Sequence, residues 1–338
     1  MTLSAAQPRG DLLRFGLPSK GRLQAQVATY LAKAGLTLEK SSVDREYAGE
    51  LLGLEGVELV FLQAGEIPGK LAAGAIHLGV TGEDLIREKT PSWRRQIHLA
   101  QALGFGRADL VVAAPKCWID VATTDDLDDV AADFRERHGH PLRIATKYAR
   151  LARAFFREKG VANYRLVDSQ GATEGVVAAG AAEAIVDITS TGETLRANHL
   201  KVLEDGLILR SEAHLCASLT ALWGGGALEA LRGLLDRVGG AAAAPQTVTV
   251  SARIERGDLD RAEAALERVG ATFLQRPLKG FPGKATLSTP ADKLGFAVDI
   301  LTASGAASIE TAQDVAATVA STSSHYERFL DRLGAQEG

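Results

Sequence analysis

The chain has 338 residues, 46% of them hydrophobic and 24% charged. An apolar fraction of that size buries a sizeable core, so whole-chain disorder is excluded, and the length predicts two domains or three. A formal net charge of −4 and an aromatic content of 5% argue against a polyanion-binding surface with base-stacking platforms, so nucleic acid is not expected as a partner.

In chain order, Leu12–Leu17 reads as a buried strand ended by Pro18, and Ser19-Lys20-Gly21-Arg22 as a turn. Leu23, Val27 and Leu31 then recur at helical spacing up to Gly35. Residues 57–63 are an apolar run, 66–74 suit a short helix opened by Ile67-Pro68, and 76–80 read as another strand. This alternation predicts an α/β fold with a largely parallel sheet. Two strands at 100–105 and 109–114 follow, then a polar helix at 123–138. Strand, helix, strand, helix, strand come next, at 143–146, 149–159, 164–168, 173–179 and 184–188. The middle block thus reads as a second α/β lobe entered and left by two crossings, with a cleft between the lobes. An amphipathic helix at 227–238 leads to the small-residue segment GGAAAAP (239–245), where a linker and a domain boundary are expected. Strand, helix, strand, strand and helix then follow at 247–254, 259–269, 271–278, 283–288 and 291–304, and a final stretch completes a β-α-β-β-α-β succession.

The sharpest chemical signal is the run EAIVDITSTGETL at 183–195. A strand ends in Asp187, the hydroxyls of Thr189, Ser190, Thr191 and Thr194 surround Gly192, and a helical pattern resumes over 195–200. Unpaired amides at a helix start, a glycine that admits close approach and several hydroxyls suit a phosphate, and an upstream carboxylate suits ribose hydroxyls. One helix cap needs one hydroxyl, and this loop has more. Lys20-Gly21-Arg22 puts two cations on a glycine turn at a strand's carboxyl end, where an open sheet receives polyphosphate. Weaker signals are the strand–glycine–helix turn at Gly82, and Glu174 with Thr173 at a helix start.

Other chemistries lack support. Cys117 and Cys216 have no partner at ligand spacing, so neither a disulfide framework nor a structural zinc site is expected. None of the seven histidines pairs at i,i+4, and no Gly-x-Ser-x-Gly elbow occurs. No segment reaches about 18 uninterrupted apolar residues, and MTLSAAQPRGD does not read as a signal peptide, so a cytoplasmic protein without membrane contact is expected.

Four segments in order, LRFGLPSKGRL, EIPGKLAAGAIHLGVTGEDL, RIATKYARLARAFFREKG and GATEGVVAAGAAEAIVDITSTGETL, resemble ATP phosphoribosyltransferase, the opening enzyme of histidine biosynthesis. The resemblance covers about residues 11–215. It implies a two-lobed, periplasmic-binding-protein-like catalytic part and a reaction of ATP with phosphoribosyl pyrophosphate (PRPP), assisted by Mg²⁺. It places Asp187, Thr189, Ser190, Thr191, Gly192, Glu193 and Thr194 on the ribose and 5-phosphate of PRPP. The resemblance would put Lys20, Arg22 and Glu174 in the same cleft as catalytic candidates, with Gly21 and Gly82 as binding candidates. The sequence departs from the family pattern at 61–66, at His77 and at Gly106-Arg107-Ala108-Asp109, changes that predict fewer cations around the cleft.

The expected organisation is a catalytic part at 11–240, with one lobe at 11–98 and 190–240 and the other at 99–189. A ferredoxin-like βαββαβ domain at 246–338 would regulate or assemble it. The resemblance implies histidine as an effector, and a homo-oligomeric state is expected. The alternatives are a non-catalytic small-molecule-binding subunit on the same fold and a transferase acting on a different base.

Overall fold

The computed structural model describes residues 11–40, 48–169, 171, 173–243, 247–277, 283–313 and 324–334. Over their described residues, Met1–Tyr30, Leu36–Arg232 and Ser324–Gly338 form one compact unit, and Leu31–Gly35 with Gly233–Ser323 form another.

In the first unit, the apolar opening run becomes β1 (Leu13–Pro18), buried along nearly its whole length, as a strand covered on both faces must be. After α1 (Gly21–Lys33) come β2 (Thr37–Lys40), β3 (Ala48–Leu52) and β4 (Val57–Leu62). Helix α2 (Ile67–Ala72) carries Pro68 in its first turn, where a missing N–H breaks no intrahelical bond. Next are β5 (Leu78–Gly82), α3 (Glu83–Lys89), α4 (Trp93–Gln96) and β6 (Ile97–Ala102). The chain then crosses to β7 (Asp109–Pro115), α5 (Thr124–His138), β8 (Leu142–Thr146), α6 (Ala149–Lys159) and β9 (Tyr164–Asp168). A 3₁₀ turn at Thr173–Gly175 leads to β10 (Ala184–Thr189), α7 (Glu193–Ala197) and β11 (Leu200–Leu209). The chain returns as β12 (Ala213–Ser218) and leaves through α8 (Gly225–Ala243).

These strands make two sheets, ordered β2-β3-β4-β1-β5-β12-β6 and β11-β7-β10-β8-β9. The first is parallel around β1, with β3 and β12 running counter. In the second, β7 runs counter to its neighbours. Two α/β lobes joined by two crossings are thus present. The second lobe buries Leu110, Val112, Ile144 and Val186 of its strands against Leu127 of α5 and Phe156 of α6. The first buries Ile67 and Leu71 of α2 with Ile86, Ile97 and Cys216.

Several expectations from the sequence shift. β6 pairs with β12 and stays in the first sheet, while β11 pairs with β7 and joins the second. The crossings therefore fall after Ala102 and after Leu209, rather than at 99 and 189. The sequence hides β11 because Glu204-Asp205-Gly206 interrupts its alternation, where its register on β7 shifts. The helix expected at 173–179 is only the 3₁₀ turn, since Gly175 and the β-branched pair Val176-Val177 are poor helix formers. The linker expected from residue 239 is helical through Ala243 in α8, because alanine is the best helix former. Its last residues, 244–245, lie outside the described residues, as do the first ten residues of the chain.

The second unit holds β13 (Thr247–Ile254), α9 (Arg256–Arg268), β14 (Thr272–Gln275), β15 (Gly283–Pro290), α10 (Leu294–Ala303) and β16 (Ser308–Gln313). Its sheet, β14-β15-β13-β16, is antiparallel throughout, which is the ferredoxin-like split βαβ arrangement. Val250, Ala252 and Leu287 of the sheet share a core with Leu259 and Leu266 of α9 and Leu301 of α10. The final helix, α11 (Ser324–Gly334), belongs to the first unit instead. Its buried Phe329 lies against Trp223, with ring centroids 4.8 Å apart, and near His98 at 6.0 Å. The stretch 246–338 is therefore not one module: its last helix finds its apolar partners beside β6.

Candidate functional site

The carboxyl end of β10, the start of α1 and the first crossing converge on one cavity of about 200 Å³. It is lined by Arg22, Arg107, Ala108, Glu174, Asp187, Ile188, Thr189, Ser190, Thr191, Thr194 and Leu195. Open α/β sheets place ligands at such strand ends.

β10 delivers Asp187 to this cavity. Ala184 and Ile185 both pair with β8, and Ile185 through Thr189 pair with β7 on the other side, so the strand's end is fixed. The Asp187 side chain is largely buried, and its Oδ1 accepts a 2.8 Å hydrogen bond from the backbone N–H of Ile188. Lys147 Nζ lies 3.5 Å from the same oxygen. Asp187 lines the cavity, and among the described residues no hydrogen bond to its Oδ2 is seen.

The loop beyond Asp187 turns on Gly192, whose φ of +73° is a conformation that glycine adopts at little cost. Thr189 Oγ1 accepts the Gly192 N–H at 2.8 Å, and the Thr191 carbonyl accepts from the Arg196 guanidinium at 3.2 Å. These bonds stiffen the loop, and Ser190 and Thr194 line the cavity. Helix α7 has only five residues, so its dipole is small, and charge for an anion comes chiefly from Arg22 and Arg107. Both arginines are exposed.

The cavity thus gathers Arg22, Glu174, Asp187, Thr189, Ser190, Thr191 and Thr194 of the sequence candidates. It does not gather the rest. Lys20 is exposed on the turn before α1, and Gly21 begins that helix at a φ of +84°. Gly192 shapes the loop without lining the cavity, and Glu193 is exposed in the first turn of α7, where an acid complements the dipole. Gly82 caps α3, where a Cβ would run into the Asp84 carboxylate.

Sequence reasoning misses two cations. It predicts a loss of positive charge at 106–109, yet Arg107 lines the cavity. Lys147 carries no motif of its own, but it follows β8 as Asp187 lies near the end of β10. Those strands pair in parallel with Ala184 opposite Ile144, so continuing the register puts residue 187 opposite 147. Among the described residues no cluster of three or more His, Cys, Asp or Glu side chains could hold a metal by itself.

A family profile described as HisG, ATP phosphoribosyltransferase, matches residues 63–238. ATP phosphoribosyltransferase of Nitrobacter winogradskyi is 47% identical over 302 residues, covering 89% of this chain and 92% of that protein. The chain belongs to the ATP phosphoribosyltransferase family. The Cereibacter sphaeroides ATP phosphoribosyltransferase is 58% identical over 211 residues, which are 89% of that protein but 62% of this chain. Among solved structures, the ATP phosphoribosyl transferase (HisG:HisZ) complex from Thermotoga maritima aligns with a TM-score of 0.52 and 25% identity, covering 68% of this chain and 97% of that one.

Proposed function

We propose that this chain joins ATP to PRPP, releasing pyrophosphate and forming phosphoribosyl-ATP, the first transfer of histidine biosynthesis. Family membership supports the reaction. The observation that carries the site is the cavity in which Asp187, the 189–194 hydroxyl loop, Arg22, Arg107 and Glu174 meet. In this reading the loop holds the 5-phosphate of PRPP, and Asp187 Oδ2 accepts from a ribose hydroxyl. Arg22 and Arg107 neutralise the pyrophosphate as it departs.

The step forms a bond from adenine N1 to the anomeric carbon and breaks the bond from that carbon to pyrophosphate oxygen. Positive charge grows on the ribose and negative charge on the leaving group, so positioning and neutralisation carry the rate. No strong general base is needed to make adenine N1 a nucleophile. Glu174 and Asp187 bring carboxylates beside the growing ribose charge.

Mg²⁺ belongs to this reading as a substrate-bound ion. It is held well by one or two carboxylates plus phosphate oxygens, and the cavity's oxygen-rich set of Asp187, Glu174 and hydroxyls suits such sharing better than a dedicated cage. When bound, the ion would supply further neutralisation of pyrophosphate. A cytoplasmic location and a homo-oligomeric state complete the proposal. No helix among the described residues is long and apolar enough to cross a membrane.

Pyrophosphate release is the test. It should require PRPP, ATP and Mg²⁺ together and coincide with a rise in near-ultraviolet absorbance. PRPP binding without release would instead mark a non-catalytic binding subunit, and release with another base but not ATP would mark a different transferase.

A further inference from the structure

Away from the cavity lies a densely bonded polar group, Asp84, a buried carboxylate in the first turn of α3. Its Oδ2 accepts a 2.6 Å hydrogen bond from the hydroxyl of Tyr148, which lies in the second lobe between β8 and α6. Its Oδ1 accepts from the Ser211 hydroxyl at 2.8 Å, and the Ser211 oxygen in turn accepts the Asp84 backbone N–H at 3.0 Å. Ser211 sits on the return crossing, and its carbonyl accepts the N–H of Ala108, a cavity-lining residue on the first crossing. One carboxylate therefore ties together the first lobe, the second lobe and both crossings.

Burying a carboxylate is costly unless its oxygens are satisfied, and here charged hydrogen bonds satisfy both. Gly82 leaves the room that this carboxylate occupies. Close by, Glu88 of α3 accepts the backbone N–H groups of Arg150 and Leu151 at 3.0 Å each, capping α6 from the opposite lobe. Tyr148 itself is fully buried, and burial with the Asp84 charge pushes its hydroxyl well above the usual phenol range, so it stays a donor. Its backbone N–H is pinned to Thr146 Oγ1 at 2.9 Å. Between those two fixed residues stands Lys147, whose Nζ lies 5.5 Å from the Tyr148 ring centroid and 3.5 Å from Asp187 Oδ1.

We propose that Asp84 and Tyr148 are positioning residues for Asp187: their hydrogen bond between the lobes aims Lys147 at Asp187 Oδ1 and so turns Oδ2 toward the ligand. Both act through Lys147, since neither lines the cavity. The inference takes from the phosphoribosyltransferase reading only the identity of that ligand, PRPP.

Two measurements test it. Tyr148→Phe keeps the ring and deletes the donor. Lys147→Met deletes the cation, and Lys147→Arg restores it. PRPP affinity measured by calorimetry should fall about tenfold in Tyr148→Phe, within the range by which a residue that touches no ligand changes binding through its neighbours. Because Tyr148 acts through Lys147, the double variant should bind no worse than the weaker single, and Lys147→Arg should recover most of the affinity. Additive losses, or unchanged PRPP affinity in a folded Tyr148→Phe protein, would overturn the proposal. The second measurement needs no substrate: trace labelling with an amine-reactive anhydride, read by peptide mass spectrometry. Lys147 should label several-fold faster in Tyr148→Phe than in the parent chain, because an amine released from Asp187 and the Tyr148 ring is more open to the reagent. Equal rates would overturn the proposal, whatever the ligand. A parent chain that ignores PRPP would sink the substrate reading, while the labelling would still decide whether the lobes aim Lys147.

Discussion

Arg22 and Arg107 reach the same cavity from different elements, one in the first turn of α1 and one on the first crossing. Each faces a loop of hydroxyls and amides that can hold a phosphate but cannot neutralise it. Arginine to alanine at either position should therefore weaken PRPP binding by roughly 1.5–3 kcal/mol, the range for a hydrogen bond to a charged group. Melting temperature should hardly move, because both side chains are exposed. Lys20→Ala should bind PRPP nearly as the parent does, since Lys20 does not line the cavity. Calorimetric titration of the three variants checks this, and a larger loss at Lys20 than at Arg22 would reverse the assignment. The contrast also shows what a sequence can reveal. The Asp187–Thr194 loop is legible because strand end, glycine and hydroxyls follow one another along the chain. Lys20 and Arg22 look equivalent because a turn motif does not say which side chain points to the crevice. Arg107 and Lys147 escape because their places are set by a crossing and by the β8–β10 register, which are pairings between distant segments.

At the scale of elements, α11 shows how an amphipathic helix is assigned to a partner. Phe329 fills the space beside Trp223 and His98, His325 bonds the Ala100 carbonyl at 2.7 Å, and Arg332 bonds the Arg94 carbonyl at 2.9 Å. Burial, together with the charges of Arg332, Arg328 and His325, pushes His98 from 6.5 down to about 4. The folded state therefore keeps His98 neutral where the unfolded chain already takes a proton. Stability from this group is fully present above about pH 6.5 and is lost as pH falls toward 4. His77 adds to the same slope, since its burial also lowers its pKa. Replacing His98 with Gln should flatten the fall in denaturation midpoint between pH 6.5 and 4, leaving the slopes that His77 and the lowered carboxylates Glu183 and Glu263 contribute. An unchanged slope would mean that α11 does not bury His98 in solution.

For the whole molecule, the succession of elements after residue 246 is legible because βαββαβ alternates period and turn within short segments. The ownership of the last helix is not, because it depends on contacts such as that of His325 with Ala100 of β6, 225 residues away along the chain. That ownership changes how the second unit can be removed. The Cereibacter sphaeroides relative aligns over 89% of its length with only 62% of this chain, so that relative is much shorter than this chain. We propose that the ferredoxin-like unit is the added part and that it responds to histidine. Ending the chain after Ala243 would remove β13 to β16 and the helices between them together with α11, uncovering Trp223 and His98. Losing the Phe329 side chain alone should cost about 3–5 kcal/mol, as for other buried aromatics. A truncated chain should therefore melt early, whatever its regulation. Replacing 244–323 with a Gly/Ser linker keeps α11 and should restore the melting transition of the first unit. If the second unit carries the effector site, both forms lose inhibition by histidine, while only the linker form keeps transferase activity at the temperature where the parent works. A coupling of about 1–3 kcal/mol between effector and substrate would appear in the parent as roughly a fivefold or greater loss of PRPP affinity at saturating histidine. Histidine inhibition that survives in the linker form would move the effector site into the catalytic lobes. No inhibition in the parent would leave the second unit as an assembly element.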